Sequence, residues 1–337
     1  MPRKPPAKQA LKRKAAAALL GCAAAGATAQ PHAQPQSGYP AKPIRIVVGF
    51  SPGGIADVTV RQAAPKLAEA LGQQIVVENR PGASGAIATE RVATAPADGY
   101  TLLAPTAADT VIPVMRPKLP YNLERDLAPV SLMAVAPFIL VVHPSVPARN
   151  VKELIALARA QPGKLSYGSV GTGTTPHLSA EALKMMAGID ILHVPYKGGL
   201  DNVIANVSGL VDMVFASMPS LMPVIGSGAP RVRALAVTSM QRASFMPALP
   251  TLHESGVTGY DRSSWVGVLA PASVPRDIIA KVNAALAGTV NTPEMKTAYG
   301  KQGLEAQTTT PEQFAAFIAG QLAQNAKLIR AIGLRPD

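Results

Sequence analysis

The stretch IRIVVGFSPGGIAD, residues 44–57, decides the fold that we expect for this chain. Its apolar run from Ile44 to Val48 predicts a strand buried on both faces, as in a parallel sheet. A turn rich in glycine and proline follows, and apolar residues then recur on one helical face until Gly72. A strand, a glycine turn and a helix in this order present backbone N–H groups and a helix N-terminus to a cleft. The stretch therefore predicts a site for a small anion.

The pattern of the opening stretch continues directly after it. We expect a strand at 74–78, a helix at 83–95 with Ile87 and Val92 facing inward, and a third strand at 100–104. This βαβαβ order is the doubly wound arrangement, in which the crossovers are right-handed. The following residues contain several prolines, which favour irregular chain. The first half of the chain therefore predicts one α/β unit.

A second α/β unit begins at Asn150, which has Glu153 three residues later and predicts a capping box. A strand at 165–169 leads into a second glycine turn, GSVGTGTTPH at 168–177. The apolar run at 266–270 predicts a strand that returns to the first unit, so that the chain crosses twice between two lobes. We therefore expect an α/β fold of two doubly wound lobes, a clamshell that closes on a ligand by hinge motion.

The expected division of the chain follows from these crossings. Residues 43–137 and 262–337 form the first lobe, and residues 138–261 form the second. The Pro- and Gln-rich residues 30–42 are expected to be a lead-in segment.

The N-terminal residues have the composition of an export signal. Six Lys and Arg residues precede residue 15, an apolar run covers 15–29, and Ala27-Thr28-Ala29 is a small-residue cleavage site. The run is shorter than the roughly 20 residues of a spanning helix. We therefore predict that 1–29 is a signal peptide and that the mature protein is periplasmic. The alternative is a lipid anchor on Cys22, the only cysteine.

The formal net charge of +12 does not indicate nucleic-acid binding. Half of the excess lies in the predicted signal peptide, aromatic residues are scarce, and no Lys/Arg run recurs later in the sequence. We therefore expect no nucleic-acid partner.

The composition of the two glycine turns narrows the type of ligand. Residues 49–54 and 168–177 contain no Lys or Arg, so backbone N–H groups, hydroxyls and helix dipoles must attract the anion. Each such dipole contributes about 0.3–1 kcal/mol at an exposed terminus, which suits a carboxylate better than a triphosphate. Ile55 also stands where a P-loop requires lysine.

Motifs for catalysis or metal binding are missing from the sequence. It has no H-E-x-x-H or paired-histidine spacing, and residues 82–86 miss the G-x-S-x-G pattern at their last position. We therefore expect no catalytic residue, no metal and no cofactor. The alternative is a secreted hydrolase with an irregular serine site that uses Ser84 or Ser169.

The same stretches resemble the substrate-binding receptors of tripartite tricarboxylate transporters, the Bug-type periplasmic family. The matching motifs run in order through nearly all of the predicted mature chain: GF at 49–50, PGG at 52–54 with Asp57 and Arg61, ENRPG at 78–82, DGYTLL at 98–103, LPY at 119–121, YGS at 167–169, GT at 173–174, HL at 177–178, VPYKG at 194–198 and RALAVT at 233–238.

The resemblance implies the type II periplasmic-binding-protein fold without catalysis. It implies that a small carboxylate (a di- or tricarboxylate, an amino acid or an aromatic acid) is held by two opposed loops, partly through ordered waters. It also implies that the receptor is a monomer that serves membrane transporter subunits of the tripartite tricarboxylate type. A ligand sensor that feeds a signalling partner is the alternative.

The candidate ligand-binding residues lie on the two loops and on the walls beside them. His177 could donate to a ligand or pack locally, and Asp57 is better placed to accept N–H bonds in the first turn of its own helix. Ser51 and Ile112 depart from the family pattern, so they bear on ligand identity. The full candidate set is Phe50, Ser51, Pro52, Gly53, Gly54, Asp57, Ser84, Thr106, Ser169, Gly171, Gly173, Thr174, Thr175, His177 and Ser217.

Overall fold

The computed structural model describes residues 38–116, 118–196, 198–225 and 231–334. The predicted signal peptide at 1–29, with Cys22, and most of the lead-in lie outside the described residues and remain predictions. No helix within the described ranges is long and apolar enough to cross a membrane.

The described elements alternate between strands and helices as the sequence predicts. The strands are β1 (Ile44–Val48), β2 (Ile75–Asn79), β3 (Thr101–Ala104), β4 (Leu127–Ala136), β5 (Ile139–Val142), β6 (Ser166–Ser169), β7 (Leu192–Pro195), β8 (Met213–Ala216), β9 (Arg233–Val237), β10 (Ser264–Pro271) and β11 (Glu305–Ala306). The helices are α1 (Ile55–Leu71), α2 (Ala86–Ala93), α3 (Ile112–Met115), α4 (Val151–Ala160), α5 (Thr175–Ala187), α6 (Gly199–Val207), α7 (Met218–Ile225), α8 (Arg276–Val290), α9 (Pro293–Gly300) and α10 (Pro311–Ala331).

The strands form two sheets, one for each lobe. Among the described residues, the first sheet has the order β11-β4-β10-β3-β1-β2 and the second has the order β7-β6-β8-β5-β9. β1 is parallel to β2 and β3, and β6 is parallel to β7 and β8. Because parallel strands end at the same edge of a sheet, the turns after β1, β2 and β3 lie together. The expected α/β fold of two lobes is confirmed.

The first sheet is buried on both faces, as predicted from the run 44–48. Ile46 and Val48 join a core with α1 and α8, whereas Val47 joins the core on the opposite face. In that second core Trp265 packs edge-on against Phe314, with ring centroids 5.7 Å apart. β10, which carries Trp265, pairs with β3 and β4, so the returning chain joins the first sheet.

Helix termini follow their sequence signals closely. Gly72 ends α1 with φ +70° and donates its N–H to the carbonyl of Glu69. Thr310 and Gln313 form a capping box at the start of α10. Asn150 caps α4, but the Glu153 carboxylate accepts the N–H of Arg149 and the side-chain amide of Asn150. The cap on α4 is therefore real, although its reciprocal half involves different donors.

The structure differs from the sequence prediction in three places. The helix expected at 83–95 begins as a 3-10 turn at Ala83–Gly85, and Ile87 is 51% exposed instead of inward. The strand β4 was not predicted, and it contains Pro129, a residue that is rare within sheets. The proline is tolerated beside an irregular pairing, where the register shifts between Val268 and Leu269. The expected irregular chain after residue 105 contains α3.

Candidate functional site

The first glycine turn joins β1 to α1 and is stabilised by hydrogen bonds to Asp57. The buried Asp57 carboxylate accepts the N–H of Gly53 (2.9 Å), the side-chain amide of Asn79 (2.9 Å) and Nε of Arg61 (2.8 Å). Asn79 also donates to the carbonyl of Phe50 at 3.0 Å. These bonds fix the turn, in which Gly53 has φ +81°.

The same bonds set the charge state of Asp57. Burial alone would raise the pKa of this carboxyl, but the N–H of Gly53 and the side chains of Asn79 and Arg61 outweigh burial, so its pKa lies below its usual value. Asp57 is therefore an ionised support beneath the turn. Direct contact with a ligand stays a prediction for this residue.

The turn at 82–85 comes close enough to the first turn to require glycine at position 49. A Cβ on Gly49 would lie 2.8 Å from Cα of Gly85, so the two backbones touch. Ala83 and Ser84 both have positive φ, +46° and +56°, a strained conformation for residues other than glycine. This geometry places Ser84 beside the first turn.

Thr106 is positioned by a buried carboxylate in the turn after β3. Asp109 accepts the backbone N–H of Thr106 at 2.8 Å and the hydroxyl of Thr89 at 2.8 Å. Burial raises the pKa of Asp109. The hydroxyl of Thr106 in turn accepts the N–H of Ala108. Thr106 and Asp109 therefore form a capping box that fixes the wall of the site.

The second glycine turn joins β6 to α5 in the other lobe. Gly171 and Gly173 have φ +118° and +78°, and the Thr174 hydroxyl donates to the carbonyl of Gly171 at 2.6 Å. The hydroxyl of Ser169 accepts the N–H of Gly171 at 3.1 Å, and Nδ1 of His177 accepts the N–H of Gly173 at 3.2 Å. Ser169 and His177 therefore support this turn from within.

Beneath the second turn lies a stack of aromatic rings. His193 stands 4.4 Å from the ring of His177 and 4.9 Å from the ring of Tyr167, centroid to centroid. Burial, with the nearby His193, lowers the pKa of His177 to about 4, and burial also lowers the pKa of His193. Both rings are therefore neutral at neutral pH, and the Tyr167 hydroxyl donates to Glu181 at 2.6 Å.

The stack also bears on the alternative serine hydrolase. The hydroxyl of Ser169 lies 2.7 Å from Nε2 of His193, a spacing that resembles a nucleophile and its base. Ser169 is, however, 0% exposed, and no carboxylate hydrogen-bonds to His193 in the described part of the chain. The pair therefore has the arrangement of a structural support and lacks an exposed nucleophile.

The two glycine turns meet at one cavity of about 380 Å³. Seven of the candidate residues line it: Phe50, Gly54, Ser84, Thr106, Gly173, Thr174 and Thr175. The described residues also border a cavity of about 550 Å³ elsewhere, but neither turn lines it. The convergence of turns from both lobes therefore marks the smaller cavity as the candidate site.

The other eight candidates lie outside the cavity lining. Ser51, Pro52 and Gly53 are on the exposed side of the first turn. Asp57, Ser169, Gly171 and His177 hold the turns, and the Ser217 hydroxyl is 2.9 Å from that of Ser220. Their contact with a ligand remains a prediction, and Ser51 in particular has its side chain in solvent.

Several lining residues were missed by sequence reasoning. α3 and the residues around it contribute Val111, Ile112, Met115 and Arg116, and the second turn adds Val170. The prolines of this segment concealed the short helix. Ile112 is the exception, since its departure from the family pattern had already drawn attention to it.

Comparison with known proteins identifies the family. A family model described as "Tripartite tricarboxylate transporter family receptor" matches residues 59–334. The chain belongs to this receptor family. The first glycine turn, at 49–54, precedes the matched range, so its part in the site rests on the geometry of the structure.

Proteins similar to this receptor include one from Pseudomonas and two from Rhodopseudomonas palustris with solved structures. The receptor is 38% identical over 312 residues to a UPF0065 protein in the tcbD-tcbE intergenic region of Pseudomonas sp. (strain P51), covering 92% of each chain. The solved structure of R. palustris Rpa4515 with adipate has a TM-score of 0.75 and 33% identity, covering 89% of this chain and 100% of that one. MatC from Rhodopseudomonas palustris with bound malate has a TM-score of 0.69 and 27% identity, covering 86% and 100%.

Proposed function

We propose that this receptor captures a small carboxylate in the cavity between its lobes and delivers it to a membrane transporter of the tripartite tricarboxylate type. The observation that carries the proposal is the meeting of two glycine turns, one from each lobe, at a cavity that no acidic side chain lines among the described residues. A carboxylate placed there meets hydrogen-bond donors from both sides.

The starts of α1 and α5 supply donors of the required kind. Their N-cap residues, Gly54 and Thr174, both line the cavity, and neither helix has a side-chain hydrogen bond at its cap. The first N–H groups of a helix lack partners within the helix and favour an anion. In contrast, Asn150, Thr292 and Thr310 cap α4, α9 and α10 with their own side chains.

The hydroxyl groups of the cavity lining and the ligands of similar solved structures both support a carboxylate ligand. Ser84, Thr106 and Thr175 add hydroxyls to the lining. The similar structures from Rhodopseudomonas palustris hold adipate and malate, which are both carboxylates. We therefore propose a carboxylate ligand for the present chain and do not propose a single compound.

The organisation proposed around this function follows the sequence interpretation. The lobes comprise 43–137 with 262–337, and 138–261, in agreement with the membership of the two sheets. Residues 1–29 direct export, and the mature receptor acts in the periplasm as a monomer. We also propose that the receptor binds its ligand without catalysing a reaction, and that it uses no metal, cofactor or nucleic-acid partner.

The test is calorimetric titration and thermal unfolding of the protein purified from the periplasm, with a panel of mono-, di- and tricarboxylates, amino acids and aromatic acids. A ligand at about 100 times its Kd should stabilise the protein by about 2.7 kcal/mol. Absence of binding by every carboxylate in the panel would contradict the proposal.

A pair of matched variants locates the site. Replacing Ser84 by alanine and Thr175 by valine removes two lining hydroxyls that have no partner among the described residues. The double change should weaken binding at least about tenfold, since each lost hydrogen bond to a charged group contributes about 1.5–3 kcal/mol. Thr94→Val removes a hydroxyl at the exposed end of α2, outside the cavity lining, and should leave Kd unchanged. Equal effects from both variants would place the site elsewhere.

A further inference from the structure

The cavity contains one charged side chain that the sequence did not indicate. Arg116 is the only charged residue among the described residues that line it. Its guanidinium makes no hydrogen bond or ion pair with any other residue in the described ranges. An unpaired guanidinium in a cavity wall is available to an anion that enters from solvent.

The backbone that carries Arg116 is fixed. Its N–H donates to the carbonyl of Ile112 at 2.8 Å, which closes α3. The chain just before α3 is tied to α10, because the side-chain amide of Asn325 donates to the hydroxyl of Thr110 at 3.0 Å. The base of the Arg116 side chain therefore has a defined position relative to the cavity wall.

The wall beside Arg116 is apolar. Val111, Ile112 and Met115 come from the segment that ends at Arg116, and Val170 of the second turn also lines the cavity. The cavity thus combines donors from two helix starts, apolar side chains and one cation. The complementary molecule has two acidic groups joined by an apolar linker.

We propose that Arg116 binds the second acidic group of the ligand and makes the receptor selective for dicarboxylates with an apolar linker over monocarboxylates. This inference rests on the proposed capture of a carboxylate at the two turns. A monocarboxylate would leave the guanidinium to water, whereas a dicarboxylate gains a charge-assisted hydrogen bond there. Because Arg116 is exposed, solvent screens part of this gain.

Arg116 also borders a second cavity of about 480 Å³ that contains Glu124. A role on that side would be structural, through attraction to the Glu124 carboxylate. It would change the stability of the protein without changing the preference between ligands. The two roles are therefore separated by measuring both quantities on the same variants.

The experiment compares matched ligands on matched variants. Calorimetry on the exported, purified protein measures Kd for succinate, glutarate and adipate and for butyrate, pentanoate and hexanoate. The variants are Arg116→Gln, Arg116→Lys and, as a control with the same change in charge, Arg91→Gln on the exposed face of α2. Thermal unfolding shows that each variant is folded.

The expected result is a preference for at least one dicarboxylate over its matched monocarboxylate by about tenfold or more in the wild type. Arg116→Gln should reduce this ratio to within about twofold while monocarboxylate affinity stays unchanged, Arg116→Lys should keep part of it, and Arg91→Gln should keep all of it.

Three results would overturn the inference. A wild type without preference for dicarboxylates, an unchanged ratio in Arg116→Gln, or an equal loss for both ligand classes would each show that Arg116 does not bind a second acidic group. Failure of the proposed function has a different signature, because the wild type would then bind no acid of the wider panel. Binding of other acids in that panel without binding of any of these dicarboxylates would overturn the inference and leave the proposed function standing.

Discussion

The hydroxyl of Ser169 lies 2.7 Å from Nε2 of His193, directly below the second glycine turn. This contact links a turn that lines the cavity to a stack of neutral histidine rings. Because Ser169 also accepts the N–H of Gly171, and Nδ1 of His177 accepts the N–H of Gly173, a change in the charge of either histidine reaches the turn. The geometry makes the second turn sensitive to acid.

Acidification should therefore destabilise the protein through His177. Its pKa is about 4 in the folded protein, against about 6.5 in an unfolded chain, so the unfolded state binds more protons between these values. The stabilising contribution of neutral His177 is complete above pH 6.5 and is lost as pH falls toward 4. We expect a loss of about 1–2 kcal/mol in the free energy of unfolding, after discounting for solvent screening.

Urea unfolding at a series of pH values measures this effect. His177→Gln, which cannot titrate, should show a shallower loss of stability between pH 6.5 and pH 4.5 than the wild type. His193, whose pKa burial also lowers, contributes in the same window in both proteins, so the difference in slope between them reports His177. Titration of Asp57 and Glu78, whose pKa values are lowered, falls largely below this window and also remains in both proteins. Identical slopes for wild type and variant would contradict the assignment to His177.

Gly49→Ala should destabilise the first turn. The added Cβ would lie 2.8 Å from Cα of Gly85 and 3.3 Å from Cβ of Ala88, so backbone must move to admit it. Overpacking of this kind destabilises by about 1–3 kcal/mol. Chemical denaturation of the variant measures the loss.

Gly288→Ala is the matched control for this change. Gly288 lies inside α8 and a Cβ there meets no atom within 4 Å. Alanine should stabilise the helix by about 0.5–1 kcal/mol because it has the higher helix propensity. Equal effects at the two glycines would show that the contact between Gly49 and Gly85 is unimportant.

Asp57→Ala should destabilise the protein and weaken ligand binding together. The change leaves Arg61, Asn79 and the N–H of Gly53 without their shared acceptor, and loss of such a buried group costs about 2–4 kcal/mol. Denaturation and calorimetry on one sample measure both effects.

Lys42→Ala provides the comparison for Asp57→Ala. Lys42 pairs with Asp98 at 3.2 Å on the surface, where its side chain is 60% exposed, so its loss should change stability by less than about 1 kcal/mol. A loss of stability in Asp57→Ala without weaker binding would show that the turn keeps its shape without this support.

The fold was largely predictable because its signals are local. The run from Ile44 to Val48 and the αL glycine at Gly72 depend only on neighbouring residues, and the structure has both. β4 was not predictable in this way, since Pro129 is tolerated only where pairing with β10 is irregular. The prediction that Ile87 faces inward was wrong, because apolar residues also occur at exposed positions.

The sequence by itself determined the two α/β units and their glycine turns, because strand, turn and helix propensities act over a few residues. Only the tertiary structure decided which residues of those turns face the cavity. Ser51 and His177 lie on the predicted loops, yet one is in solvent and the other beneath the turn. Arg116 lines the cavity although it lies in a proline-rich segment. The contact with α10 and the cap formed by Asp109 fix the path of this segment. Such long-range contacts leave no local pattern in the sequence.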